Sequence, residues 1–397
     1  MRKIITDYLE GFDLDVRKSG DARFMDQKCT PDVLCFIADC IANVICTPNK
    51  EFVVKDIWNS QYFIRNARAL FGKPLATSET ARHEYDKFIQ QPLRLLAYAH
   101  VLSIKKKGNS NVFTISNMEI LEYIGQRERN AYNFLYCYLY KVLSDSNMIA
   151  HFNHYIERCG SANVSQSDYV SLRDRCIRFF IGHTRINGDV EVRRIFPKIL
   201  NIFSVEHNIP GSEKGRMSKY AFTFSDLMYN RKNWRDLNKP KDLTRQEAEQ
   251  ALEIEQQEAY NAYNVQKAMA RLRKIQLESE VHDQWANGEA TQIHHIFPKS
   301  MYPQIAHYIE NLIKLTATQH YTKAHPNNQT QTINQDYQLT CLLAKADTIE
   351  KSISVVGERY YSKDAFIFVL NTGLTSDFSA SLSFREIKRN LIHIYNS

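Results

Sequence analysis

The chain has 397 residues, of which 44% are hydrophobic, 24% charged and 12% aromatic, a balance that suits a folded globular protein and excludes a disordered or collagen-like one. That length exceeds one small domain and suggests two or three, each able to bury its own core. The 51 basic residues outnumber the 44 acidic ones, for a net charge of +7, a mild bias that fits a polyanionic partner.

No apolar run approaches the roughly 18–20 residues that span a bilayer. The Met1-Arg-Lys start turns acidic too soon for a secretory leader, so the expectation is a cytoplasmic chain with no membrane partner. Thirteen glycines and ten prolines are few for this length, which leaves room for helix and argues against a repetitive β architecture. Among the cysteines, Cys29, Cys35, Cys40 and Cys46 lie five or six residues apart in an apolar stretch and no Cys-x-x-Cys occurs. They read as reduced thiols in a helical core, not as disulfides or a zinc knuckle.

From Cys29 to Cys46, apolar residues at Val33, Phe36, Ile37, Cys40, Ile41 and Val44 recur at helical spacing, with Thr30 as N-cap and Pro31 in the first turn. A buried helix is predicted there. Pro31-Asp32 is also the first half of a different nuclease signature, but no acid-x-Lys follows within about fifty residues. A second apolar helix is predicted over 91–102, followed by Lys105-Lys106-Lys107-Gly108-Asn109 as a basic turn and by a strand over 112–115. Helix, basic tip and strand in this order are winged-helix-like. The Tyr- and Leu-rich segment 132–143 reads as core, and a helix is expected between Ser161 and Phe180.

Asn208–Gly215 carries a proline and two glycines and is the predicted domain boundary. Beyond it, Arg216–Arg245 holds eight basic residues against three Asp, with Tyr220, Tyr229 and Trp234 interleaved. Such a stretch is either a solvated connector or a phosphate contact. Residues 243–277 then read as a long charged helix, acidic first and basic last, which suits its dipole.

Six of the thirteen histidines, His282, His294, His295, His307, His320 and His325, fall within residues 282–325. A strand is predicted to end at His294-His295, a second to cover 312–315, and a helix to start near Thr316 or Thr318 and to stop at Pro326. Adjacent histidines alone would arise by chance about 0.4 times in such a chain, but adding Asn311 and a His nine residues beyond it lowers that to about 0.02.

The arrangement His294-His295, Asn311-Leu312, His320, with Ile-Phe-Pro-Lys-Ser and Asn-Leu-x-x-Leu flanks, resembles the HNH or ββα-metal nuclease family over roughly fifty residues. The resemblance implies His294 and His320 as metal ligands and His295 as general base. It implies for Asn311 either a brace on the loop that carries the base or an oxygen donated to the metal. His325 is a further candidate ligand, although the family places such a residue one position earlier, where Ala324 stands. The implied cofactor is one divalent metal, Mg²⁺ being suited by few protein ligands and several waters, with Mn²⁺, Ni²⁺ or Zn²⁺ suited by imidazole.

A nuclease unit of this kind reads few base edges, so sequence choice needs a separate groove-reading element. The expected fold is therefore α+β and mainly helical: a winged-helix-like DNA-recognition region over 1–210, a basic connector and long helix over 211–280, the HNH core over 281–345, and a packing or oligomerisation segment over 346–397. This layout resembles HNH-type type II restriction endonucleases acting on double-stranded DNA, as a homodimer where two strands are cut and beside a companion methyltransferase. Lys105, Lys106, Lys107, Arg231, Lys232, Arg235 and Lys299 are the expected DNA contacts. Homing or nicking endonucleases and a non-catalytic winged-helix regulator are the alternatives.

Overall fold

The computed structural model describes residues 2–19, 23–71, 82–229, 245–324 and 334–396. Over these the chain is mainly helical, with three two-stranded antiparallel sheets. It divides into two compact units, Arg2–Glu249 and Gln250–Ser397. None of the described helices is long and apolar enough to cross a membrane.

The first unit runs α1 (Arg2–Glu10), α2 (Val16–Ser19), α3 (Pro31–Val44), α4 (Val54–Trp58), α5 (Gln61–Phe71) and α6 (Arg82–Tyr98), then the strands β1 (Leu102–Lys107) and β2 (Ser110–Ile115). It continues through α7 (Met118–Gln126), α8 (Glu128–Asp145), α9 (Ile149–Gly160), α10 (Gln166–His183) and α11 (Asp189–His207) to a second ribbon, β3 (Pro210–Glu213) and β4 (Arg216–Ala221). Every residue of α3 from Pro31 to Ile41 is buried, so this helix is the unit's axis. Thr30 is extended at the N-cap position as expected, yet its hydroxyl makes no capping bond. Gly125 of α7 is needed where α7 crosses α3, because a Cβ there would lie 2.8 Å from the Asp39 backbone nitrogen. Cys29, Cys35 and Cys40 are buried free thiols, whereas Cys46, beyond the helix end, is exposed.

Two expectations are corrected here. Lys105, Lys106 and Lys107 are not the turn: they lie in β1, paired in register with Val112, Asn111 and Ser110. Only Gly108 supplies the positive φ (60°) that the two-residue turn demands, so the strand runs to Lys107. Likewise, residues 208–215 form no boundary. Their proline and glycines belong to the β3–β4 ribbon, which docks on α11 through Asn201: its Oδ1 accepts from Ser212 N–H at 2.6 Å and its Nδ2 donates to the Ser212 carbonyl at 3.1 Å.

The second unit contains most of α12 (Arg245–Ile275), then β5 (Gln292–His295), β6 (Leu312–Leu315), a π-helical segment Gln319–Ala324, and the helices α13 (Gln335–Val356), α14 (Lys363–Leu374) and α15 (Phe384–Asn396). Its core joins Ile296, Phe297, Leu312 and Ile313 to apolar residues of α13, α14 and α15. The apolar run Phe366–Leu370, which taken alone would suit a strand as well as a helix, lies in α14, whose Ser362 N-cap accepts from Ala365 N–H. A short apolar run has no periodicity that separates strand from helix. Segment 346–397 packs on the sheet region: a Cβ on Gly373 would come within 2.4 Å of the Phe297 ring, and Ser362 N–H donates to Glu310 Oε1 at 2.9 Å.

Candidate active site

β5 and β6 pair antiparallel with His294 opposite Ile313 and His295 opposite Leu312. All four residues of β6 are buried, so this ribbon is fixed from behind by packing. Neighbouring side chains on a strand point to opposite sides. His294 is 3% exposed, and His295 is half-buried on the other side.

Between the strands lies a loop of fifteen residues, 296–310, and Asn311 closes it. Asn311 Oδ1 accepts from Phe297 N–H at 2.8 Å, and its Nδ2 donates to the carbonyls of Phe297 and Ile305 at 3.1 and 3.3 Å. Its backbone carbonyl takes the Ile296 N–H at 2.9 Å. With no exposure and both ends of the amide engaged, Asn311 is arranged as the loop brace and not as a metal donor.

The loop in turn holds His295. Its Nε2 lies 3.0 Å from the Ala306 carbonyl, which makes Nε2 the protonated nitrogen and leaves the lone pair on Nδ1. Burial pulls the imidazolium of His295 below the ordinary histidine range, the Ala306 carbonyl opposes that in part, and the charge of Lys299 adds to it. The ring is therefore neutral at pH 7, as a proton acceptor must be. Lys299 itself is exposed in the turn after β5.

His320 sits at the second position of the π-helical segment. Its placement begins with Thr316 and Gln319, which form a reciprocal cap: Thr316 Oγ1 accepts from Gln319 N–H at 3.2 Å while Gln319 Oε1 accepts from Thr316 N–H at 3.0 Å. Gln319, fully buried, also takes the Ser279 hydroxyl at 2.7 Å and donates to the Val281 carbonyl at 2.8 Å and Asp283 Oδ1 at 2.9 Å. The result brings His320 to His294, with ring centroids 5.5 Å apart and planes at 76°. Two imidazoles sharing one ion at about 2.0–2.1 Å would set their centroids roughly 5 Å apart, so the pair fits a bridging divalent cation. Among the described residues no set of three or more His, Cys, Asp or Glu side chains is grouped for a metal. A cation at this position would have the histidine pair as its protein donors.

Below this frame lies an ion pair. Lys345 Nζ is 2.6 Å from Glu280 Oε2 with both side chains buried; the approach is too oblique for a hydrogen bond, and the ammonium also lies 5.1 Å from the Tyr361 ring. Glu280 Oε1 accepts from Lys314 N–H at 2.9 Å, and Lys314 Nζ donates to the carbonyls of Gln276 and Leu277, just beyond α12, at 2.6 and 3.2 Å.

Of the other expected residues, Lys105 is exposed and ion-paired with Glu51, and Lys106 and Lys107 are exposed on the same strand. His325, Arg231, Lys232 and Arg235 lie outside the described residues. His282 is exposed and His307 lies against Tyr308, with ring centroids 4.9 Å apart and planes tilted by 46°, so neither joins the pair. Sequence reasoning passed over Gln319, although Thr-x-x-Gln is a readable capping pattern. It had no means of finding the Ala306 carbonyl, which is backbone. No protein-family model, curated protein or solved structure matches this chain.

Proposed function

We propose that the second unit is an HNH-type nuclease that hydrolyses phosphodiester bonds of double-stranded DNA, and that the whole chain is a sequence-specific endonuclease of the type II restriction class. The observation that carries this reading is the opposed pair of functions on adjacent residues: His294 faces His320, while His295 is turned away and held through Nε2 with Nδ1 as its basic nitrogen. A divalent cation held by His294 and His320 would neutralise charge on the phosphoryl oxygens.

The remaining chemistry belongs to the chain. His295 Nδ1 accepts a proton from water as the water oxygen attacks phosphorus. The ester P–O bond then breaks, and its oxygen leaves with a proton drawn from solvent. Asn311 and the Ala306 carbonyl keep the ring from rotating out of line, and Lys299 brings positive charge to the same side.

The first unit supports a recognition role. It carries a helix–ribbon sequence in which β2 is also bridged by Phe52, which suits a winged-helix-like element. Such an enzyme would work in the cytoplasm, with a companion methyltransferase protecting the host's own sites, and as a homodimer where both strands are cut. Digestion of methylation-free phage DNA with Mg²⁺ and with Mn²⁺, with and without chelator, followed by sequencing of the ends, tests the reading. Discrete ends that vanish with chelator are expected. Cuts on one strand only would favour a nicking enzyme, and intact DNA under all metals would overturn the proposal.

A further inference from the structure

Within the first unit, α6, the helix before the basic ribbon, is a poor candidate for reading base edges. Tyr85, Phe88, Ile89, Leu93, Leu95 and Leu96 are buried, and of its described side chains only Asp86 and Lys87 are exposed. The preceding pair of helices differs. α4 and α5 are joined by the two residues Asn59 and Ser60, and both pack on α3.

Ser60 fixes the entry to α5, its Oγ accepting from Phe63 N–H at 3.1 Å and donating to the Ile57 carbonyl at 2.7 Å. One face of α5 is then committed to the core, with Phe63, Asn66, Ala67 and Leu70 buried. The other carries Gln61, Arg65 and Arg68, all exposed, with Ile64 half-buried among them. These three polar residues fall at i, i+4 and i+7, a stripe roughly 10 Å long, or about three base-pair steps.

The charges on this stripe have no competing partner among the described residues, where neither Arg65 nor Arg68 makes an ion pair or a side-chain hydrogen bond. The acids that precede the stripe on α4 and before it are engaged elsewhere: Asp56 accepts the Val53 N–H at 2.7 Å, and Glu51 pairs with Lys105. Lys55 on α4 is exposed and positive. A short helix, a tight turn and a second helix with Gln and Arg along its outer face have the chemistry to read a major groove, since Arg forks onto guanine and Gln onto adenine while the first helix meets the backbone.

We infer that α5 is the base-reading helix of this protein, with Gln61, Arg65 and Arg68 facing a DNA major groove and Lys106 and Lys107 of β1 contacting phosphate. This rests on the DNA reading proposed above and is tested separately from it. The full chain, in chelator so that no strand is cut, is used to select from a randomised duplex pool.

Wild type should enrich one short sequence. Arg65→Ala and Arg68→Ala should each lose the preference at a single position by roughly ten- to a hundredfold while still binding random duplex. Arg65→Lys should keep the random-duplex affinity without restoring the preference, and Lys106→Ala should weaken all sequences alike. If both alanine variants enrich the same sequence as strongly as wild type, the inference is overturned and the nuclease reading stands. Cleavage by a wild type that enriches nothing has the same meaning. If wild type neither enriches nor cuts any duplex, both readings fall.

Discussion

The two ribbons β1–β2 and β5–β6 share antiparallel pairing but solve opposite problems. In the first, a two-residue turn centred on Gly108 lets lysines stand in water, and the outer residues of the ribbon are exposed. The second is sealed behind, with β6 wholly buried, and its strands are joined by a loop that a single buried amide holds shut. An exposed ribbon can carry charge with little internal support, whereas a ribbon that must aim imidazoles in two directions depends on polar residues buried beneath it. Asn311, Gln319, Glu280 and Lys345 meet that need, each fully or nearly fully buried.

Substitutions at corresponding levels of the two ribbons should separate these designs. The largest effect is expected at the base: His295→Ala should lower cleavage by about 10²–10⁴-fold while duplex affinity measured in chelator is retained; unchanged cleavage would remove His295 from the chemistry. Lys345→Met leaves Glu280 buried without its counter-charge and should destabilise the second unit by about 3–5 kcal/mol, read as an earlier urea transition. Asn311→Leu strands the Phe297 N–H and two carbonyls, at about 1–3 kcal/mol for each buried group left unsatisfied. Asn111→Leu on the first ribbon should stay within about 0.5 kcal/mol.

The smallest effect concerns protonation. Because the folded-state pKa of His295 is depressed, the neutral base persists above it and is lost as pH falls through it, so the acid limb of the cleavage profile should lie below the ordinary histidine value. Lys299→Ala removes a charge that lowers this pKa and should move the limb to higher pH. A shift to lower pH would mean that Lys299 does not act on the base.

What the sequence made legible were features that depend on local periodicity or on chemical rarity. The α3 pattern and the two short strands around the histidine pair follow from spacing, whereas the meeting of His294 with His320 was implied by the resemblance to the HNH family. Glycine and proline misled at 208–215, because a hairpin turn and an interdomain linker require the same residues, and only the bonds from Asn201 distinguish them. The apolar run in α14 was ambiguous for the same kind of reason. The choice between two roles for Asn311 depended on which backbone groups the loop would present, and those are set by tertiary closure. The tautomer of His295 likewise depends on a carbonyl eleven residues away.

The contact between Gly373 and the Phe297 ring has a practical corollary. Phe297 is the residue whose backbone Asn311 clasps, and it rests on a helix encoded some 75 residues later. A fragment ending near residue 345 would keep every expected ligand and the base, yet would lose the floor beneath the clasped loop. If the second unit is the nuclease proposed above, its cleavage should therefore not be portable as a small cassette. Engineered fusions that borrow its scissile machinery would have to carry the chain through α14, and a bulkier side chain at position 373 would disable a donor module as effectively as truncation.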